Sequence, residues 1–204
     1  MKVKSTLLLS LLTLTTTTLC YAEKGDIMLR LRGIGVIPDV RSSVTGATGT
    51  IKVHNSVAPE VDASYFFTNN IAAELIAATT KHKVKFRTGG VDTDLGSVWL
   101  LPPTLTLQYH FVNSTRLKPY LGAGVNYTVF YSAKPGIYNS VSYKNRAGFA
   151  LQAGMDICVK GNFGINLDVK KIFLRTSASV NHGAVKANVR LDPWIVGLGV
   201  YWKI

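Results

Sequence analysis

The chain has 204 residues, 47% of them hydrophobic, and a formal net charge of +12 at pH 7. Its mean hydropathy is positive, +0.20, yet beyond the N-terminal segment no run of about eighteen apolar residues occurs, which excludes membrane-spanning helices. The basic residues are spread along the chain rather than gathered in a patch, which argues against nucleic acid as a partner and suits attraction to anionic lipid head groups.

The N-terminus reads as a secretory signal. Lys2 and Lys4 form a charged start, residues 7–14 a short apolar core, and Cys20-Tyr21-Ala22 a small-x-small end. This places cleavage after Ala22. Acylation of Cys20 is the alternative, disfavoured by the bulk of Leu19 before it. Residues 1–22 are therefore assigned to a signal peptide and residues 23–204 to a single domain. Only Cys158 falls in that domain, so a cysteine-based metal site is excluded.

From there the chain alternates apolar and polar residues, the mark of strands with two unlike faces. The first strand, 26–34, sets Ile27, Leu29 and Leu31 against Met28, Arg30 and Arg32. A long Gly-, Ser- and Thr-rich connection leads to the second, 61–67, with Val61, Ala63, Tyr65 and Phe67 against Asp62, Ser64 and Phe66. Thr68-Asn69-Asn70 is a tight turn. The third strand, 71–77, sets Ile71, Ala73, Leu75 and Ala77 against Ala72, Glu74 and Ile76. A second long connection, carrying Gly89-Gly90, runs to Pro102-Pro103, which must stand at a strand end because proline cannot join a ladder interior.

The fourth strand follows, with Leu105, Leu107, Tyr109 and Phe111 against Thr104, Thr106, Gln108 and His110. After a short turn, the fifth (119–131) sets Leu121, Ala123, Val125, Tyr127, Val129 and Tyr131 against Gly122, Gly124, Asn126, Thr128 and Phe130. A third long connection leads to the sixth, where Phe149 to Ile157 oppose Ala150, Gln152, Gly154 and Asp156. A short Lys160-Gly161-Asn162 turn leads to the seventh, where Phe163 to Val169 oppose Gly164, Asn166, Asp168 and Lys170. The fourth long connection ends at Pro193. The closing stretch then alternates strictly, with Trp194, Val196, Leu198, Val200, Trp202 and Ile204 on one face.

Eight strands joined alternately by short and long connections are the pattern of an eight-stranded antiparallel transmembrane β-barrel of a bacterial outer membrane, with short periplasmic turns and four longer external loops. An even strand count leaves both ends of the domain on the periplasmic side. Trp202 and Phe111 are then the inner aromatic girdle, and Trp194 and Tyr131 the outer one. A soluble lipocalin-like barrel has the same strand count with its apolar face inward. Strand length, loop asymmetry and the aromatic positions favour the membrane.

Several motifs resemble the OmpW family: residues 70–79 (NIAAELIAAT), Leu101-Pro102-Pro103-Thr104-Leu105, residues 118–128 (KPYLGAGVNYT), and the closing Arg190-Leu191-Asp192-Pro193-Trp194. They occur in order across the domain. The resemblance implies an eight-stranded outer-membrane barrel with a narrow, partly apolar lumen, passing small hydrophobic molecules, in some members by lateral release into the membrane. It also implies an aromatic C-terminal residue read by the barrel-assembly machinery, where this chain ends in Ile204. Apolar residues that narrow the lumen in the family correspond to Ile76 and, in this chain, to the charged Lys170.

The inward set holds the candidate site. Met28, Phe66, Ile76 and Phe130 offer a greasy path or an apolar plug. Arg30, Arg32, Glu74, Asp156, Asp168 and Lys170 carry both signs, and mutual pairing across a narrow barrel is expected of them. Gln108 and His110 read as lumen hydrogen-bonding residues. The inward glycines either make room for a solute or relieve crowding. No nucleophile with a paired base and no metal-ligand spacing is present, so neither enzyme activity nor a cofactor is expected. The sequence thus points to a monomeric outer-membrane channel for small hydrophobic solutes, in contact with outer-membrane lipids and lipopolysaccharide. The alternative is a structural or receptor barrel with a plugged lumen and partner-binding outer loops.

Overall fold

Period-two alternation becomes antiparallel strand throughout the structure, a computed structural model that describes residues 22–46, 48–136, 140–180 and 185–204. The signal peptide expected over residues 1–22 lies, apart from Ala22, outside the described residues. In chain order the strands are β1 (Ile27–Ile37), β2 (Arg41–Thr45), β3 (Thr50–Val53), β4 (Ser56–Phe66), β5 (Ile71–Ala78), β6 (Thr80–Thr88), β7 (Val91–Leu101) and β8 (Thr104–His110). They continue with β9 (Leu117–Pro135), β10 (Val141–Tyr143), β11 (Arg146–Lys160), β12 (Phe163–Phe173), β13 (Arg175–Val180), β14 (Val185–Arg190) and β15 (Trp194–Lys203).

Eight of these close a ring in the order β1, β4, β5, β8, β9, β11, β12, β15. The ring shuts where β15 returns to β1, from Met28↔Lys203 to Ile37↔Trp194. Closure removes the unpaired strand edges that an open sheet would expose. The eight strands are those expected from the sequence, several of them extended at one end: β1 runs on to Ile37, β4 starts at Ser56 and β9 reaches Pro135.

The four long connections all lie at that same end, and they are largely strand rather than irregular loop. The hairpin of β6 and β7 pairs with β3 and with the outer part of β9. A second sheet runs β10-β13-β14-β2. The signal for β6 is in the sequence, where buried His82 and Val84 alternate with exposed Lys81 and Lys83. A lysine face does not belong in lipid, so this strand stands beyond the apolar band. The hairpin tip is Gly89-Gly90, with φ of 55° and 85°, the left-handed conformations that a tight β-turn requires.

The two faces of the ring differ in kind. Outward, Leu29, Leu31, Leu75, Leu105, Leu121, Leu151 and Leu198 are exposed, as a lipid-facing wall requires. Inward, large polar side chains fill the interior. The inward glycines relieve crowding: a Cβ at Gly124 would stand 2.0 Å from the carbonyl oxygen of Leu105, and one at Gly164 would stand 2.4 Å from the Tyr201 ring.

Candidate functional site: a polar plug below an apolar cavity

The interior has three levels, set by which inward residues each strand supplies at a given height. At the periplasmic end Met28, Phe66, Ala72 and Tyr201 form a small apolar cluster with Ala22 packed against it. The His110 ring lies between Phe66, at 4.8 Å, and Tyr120, at 5.0 Å.

Above that cluster a charged network crosses the lumen. Arg30 grips Asp156 with two hydrogen bonds of 3.1 and 2.8 Å and donates to Ser64 at 2.7 Å. Arg32 donates to Glu60 at 2.9 Å, Glu74 at 3.0 Å and Asn166 at 3.0 Å, and also to Asp62. Lys170 bridges Glu60 at 2.6 Å and Asp168 at 3.0 Å. The Tyr120 hydroxyl donates to Asp168 at 2.7 Å and accepts from Asn166 at 3.0 Å. Gln108 donates to Glu74 at 2.7 Å, Gln152 to Asp168 at 2.7 Å, and His110 joins through Gln108 at 3.0 Å. Both arginine side chains are wholly inaccessible. Charges this deeply buried persist only when paired; Asp168 Oδ1, which accepts no hydrogen bond, still faces Lys170 at 3.0 Å, and the network fills the middle of the lumen with polar side chains.

The outer third is the opposite. The outer ends of the ring strands and the two outer sheets enclose a cavity of about 120 Å³ lined by Ile34, Val36, Val84, Val98, Phe130 and Ile172 among others. Its floor is Ile76 together with the Glu60–Lys170 ion pair. A cavity with so largely apolar a lining is suited to apolar ligands. Phe130 stacks on Tyr143 with ring centroids 5.6 Å apart, and burial pushes the Tyr143 hydroxyl up to about 12. Burial lowers the pKa of His82, which borders the cavity, although its Nδ1 lies 2.8 Å from the carbonyl of His54.

The outer wall is also less continuous. The β4–β5 ladder ends at Glu60↔Ala78. Beyond it β4 continues to Ser56 against β1 alone, while β6 pairs with β3 and β7. Among the described residues no ladder joins β4 to β6, although the two strands remain in contact, so an unladdered seam runs beside the cavity with Pro59, which lacks an N–H, on its margin.

The residues expected to form the lumen are thus divided. Ile76 and Phe130 border the outer cavity, Lys170 caps the plug beneath it, Gln108 and His110 belong to the plug, and Met28 and Phe66 lie below it. The greasy path that these four apolar residues offered is interrupted by the charged network. The pairing expected of the inward charges is present. Trp194, Tyr131, Trp202 and Phe111 are all exposed on the outer surface, the first two toward the outer sheets and the last two toward the opposite end. Sequence reasoning missed Glu60, Tyr120, His82 and Tyr143. Tyr120 shares the parity of Gly122, which marks it as inward. Glu60 was lost because the second strand was started at Val61, five residues after its actual start at Ser56. His82 and Tyr143 lay in segments read as loops. Among the described residues no group of three or more His, Cys, Asp or Glu side chains is placed to hold a metal ion.

The sequence matches the model of the OmpW family over residues 23–204. The chain belongs to the OmpW family. It is 46% identical over 181 residues to the outer-membrane protein y4mB of Sinorhizobium fredii, covering 86% of this chain and 78% of that protein. It is 32% identical over 108 residues to the dibenzothiophene metabolism operon protein PahQ of Pseudomonas aeruginosa, covering 52% of this chain and 51% of that protein. The crystal structure of the outer membrane protein OprG from Pseudomonas aeruginosa superposes with a TM-score of 0.85 at 28% identity, covering 91% of this chain and 99% of that one. This OmpW-family barrel is therefore a protein of the cell outer membrane, with its short turns periplasmic and its long connections external.

Proposed function

We propose that the barrel collects small, mainly hydrophobic molecules from outside and delivers them sideways into the membrane. The observation that carries this is the stacking of a largely apolar cavity directly on a charged, hydrogen-bonded plug. A hydrophobic molecule enters the cavity favourably, because its apolar surface leaves water. Going further inward would require it to break buried ion pairs that it cannot replace. The seam between β4 and β6 lies at the level of the cavity and has no ladder to break, which supports lateral exit over axial passage. The name of the relative PahQ, tied to the metabolism of an apolar aromatic compound, supports the same substrate class.

The plug favours one other reading, a structural or receptor barrel whose outer sheets bind external partners. The two are separated by delivery of a fluorescent apolar probe to liposomes with and without the refolded protein. The uptake reading expects faster delivery by the wild type and a loss of about tenfold or more in Ile76→Asp, since a carboxylate on the floor of an apolar cavity is strongly disfavoured. Wild-type delivery no faster than protein-free liposomes would leave the receptor reading.

A further inference from the structure

The outward face of the sheet β10-β13-β14-β2 carries a row of arginines that uptake does not use. Arg175 of β13 stands opposite Arg190 of β14, and Arg190 stands opposite Arg41 of β2. Like charges directly opposite one another on antiparallel strands destabilise the pairing, so three abreast call for an anion. Two residues farther along each strand, Ser177, Asn188 and Ser43 stand abreast in the same order, with Ser177 donating to Asn188 at 3.0 Å. Arg146 lines the same hollow.

Nearby carboxylates neutralise only the middle of the row, Arg190. Asp192 is held by Arg190 at 2.6 Å, and Asp39 lies 3.6 Å from Lys171. Among the described residues no carboxylate pairs with Arg41, Arg146 or Arg175, all of which are exposed. On the same strands Thr176 and Val189 point inward and are buried, so Arg175 and Arg190 face away from the lumen.

Height identifies the ligand. Arg175 follows Phe173, an exposed residue of the lipid-facing wall, by two positions, or about 7 Å of strand. Trp194 and its partner Ile37, also exposed, close the apolar band on the neighbouring strands. The arginines therefore stand just above the hydrocarbon edge of the outer leaflet, where lipid phosphates lie. Guanidinium forks bind phosphate oxygens in pairs, and the neighbouring hydroxyl and amide groups offer further hydrogen bonds.

We propose that Arg41, Arg175 and Arg190, with Arg146, form a binding site for the phosphate groups of an outer-leaflet glycolipid. The site rests on the outer-membrane placement of the chain and not on solute uptake. The test measures, by native mass spectrometry of the refolded barrel, retention of bis-phosphorylated lipid A, dephosphorylated lipid A and inorganic phosphate. The variants are R41Q/R175Q, R41K/R175K and, as a charge control on the other outer sheet, K81Q/K83Q. Wild type is expected to hold the phosphorylated lipid at least about tenfold more tightly than the dephosphorylated one, and R41Q/R175Q to lose that difference. R41K/R175K should keep part of it, because charge remains without the fork, and K81Q/K83Q should keep all of it. Heat-shifted gel migration checks folding, and single R41Q serves if the double variant does not fold. Equal retention of both lipids, full retention by a folded glutamine variant, or an equal loss in K81Q/K83Q would overturn the site. Arginine-dependent binding of inorganic phosphate without lipid binding would overturn the lipid assignment.

Discussion

The periplasmic two-thirds of the barrel and its outer third are built from the same strands but held by different forces. Below, every wall strand is laddered on both sides and the interior is a hydrogen-bonded ion network. Above, apolar side chains line a cavity and the wall divides into two sheets with a seam between β4 and β6. Where charges are paired across the lumen and the ladders are complete, polar side chains fill the barrel. Where the lining is apolar, there is room for a guest, and the lapse in backbone pairing is where the proposed exit lies.

Breaking the lower region should have the largest effect. Arg32→Met removes the cation shared by Glu60, Asp62 and Glu74 and leaves buried carboxylates without it. A loss of about 3–5 kcal/mol is expected, read as the denaturant midpoint of the heat-shifted gel band. A loss below about 1 kcal/mol would show that the network contributes no more than a surface ion pair.

The outer region should respond in function before stability. Val98→Trp fills the cavity, where Val98 is buried. Apolar delivery should fall to the protein-free level, while stability drops by about 1–3 kcal/mol at most through overpacking. Delivery at the wild-type rate in a folded Val98→Trp barrel would remove the cavity from the route.

The smallest effect distinguishes the regions by pH. Burial lowers the His82 pKa below its ordinary 6.5, so as pH falls the unfolded chain takes up the proton first. The stabilisation from neutral His82 is complete above pH 6.5 and declines as pH drops through that value toward the lowered folded one. Thermal melts across this window should show a slope that His82→Gln removes. An unchanged slope would assign the titration elsewhere.

The alternation of residues made all eight ring strands legible in the sequence, along with the inward or outward sense of nearly every side chain. The external strands were hidden because the lipid-facing criterion stops at the girdle. Lys81 and Lys83 of β6 fail that criterion while keeping the period of a strand. The division of the lumen was also illegible. Met28 and Ile76 look alike by parity, and only barrel closure sets Arg30 beside Asp156, 126 positions away, between them. Tyr120, quoted in a family motif, shows its role only once its hydroxyl is seen on Asp168 and Asn166.

The central claim is that the barrel is sealed to axial flow yet open to apolar guests from outside. It is tested most directly by comparing, in the same liposomes, release of an entrapped charged dye with delivery of an external apolar probe. Accelerated apolar delivery with the charged dye fully retained is the predicted result. Release of the charged dye through folded wild-type barrels would contradict it.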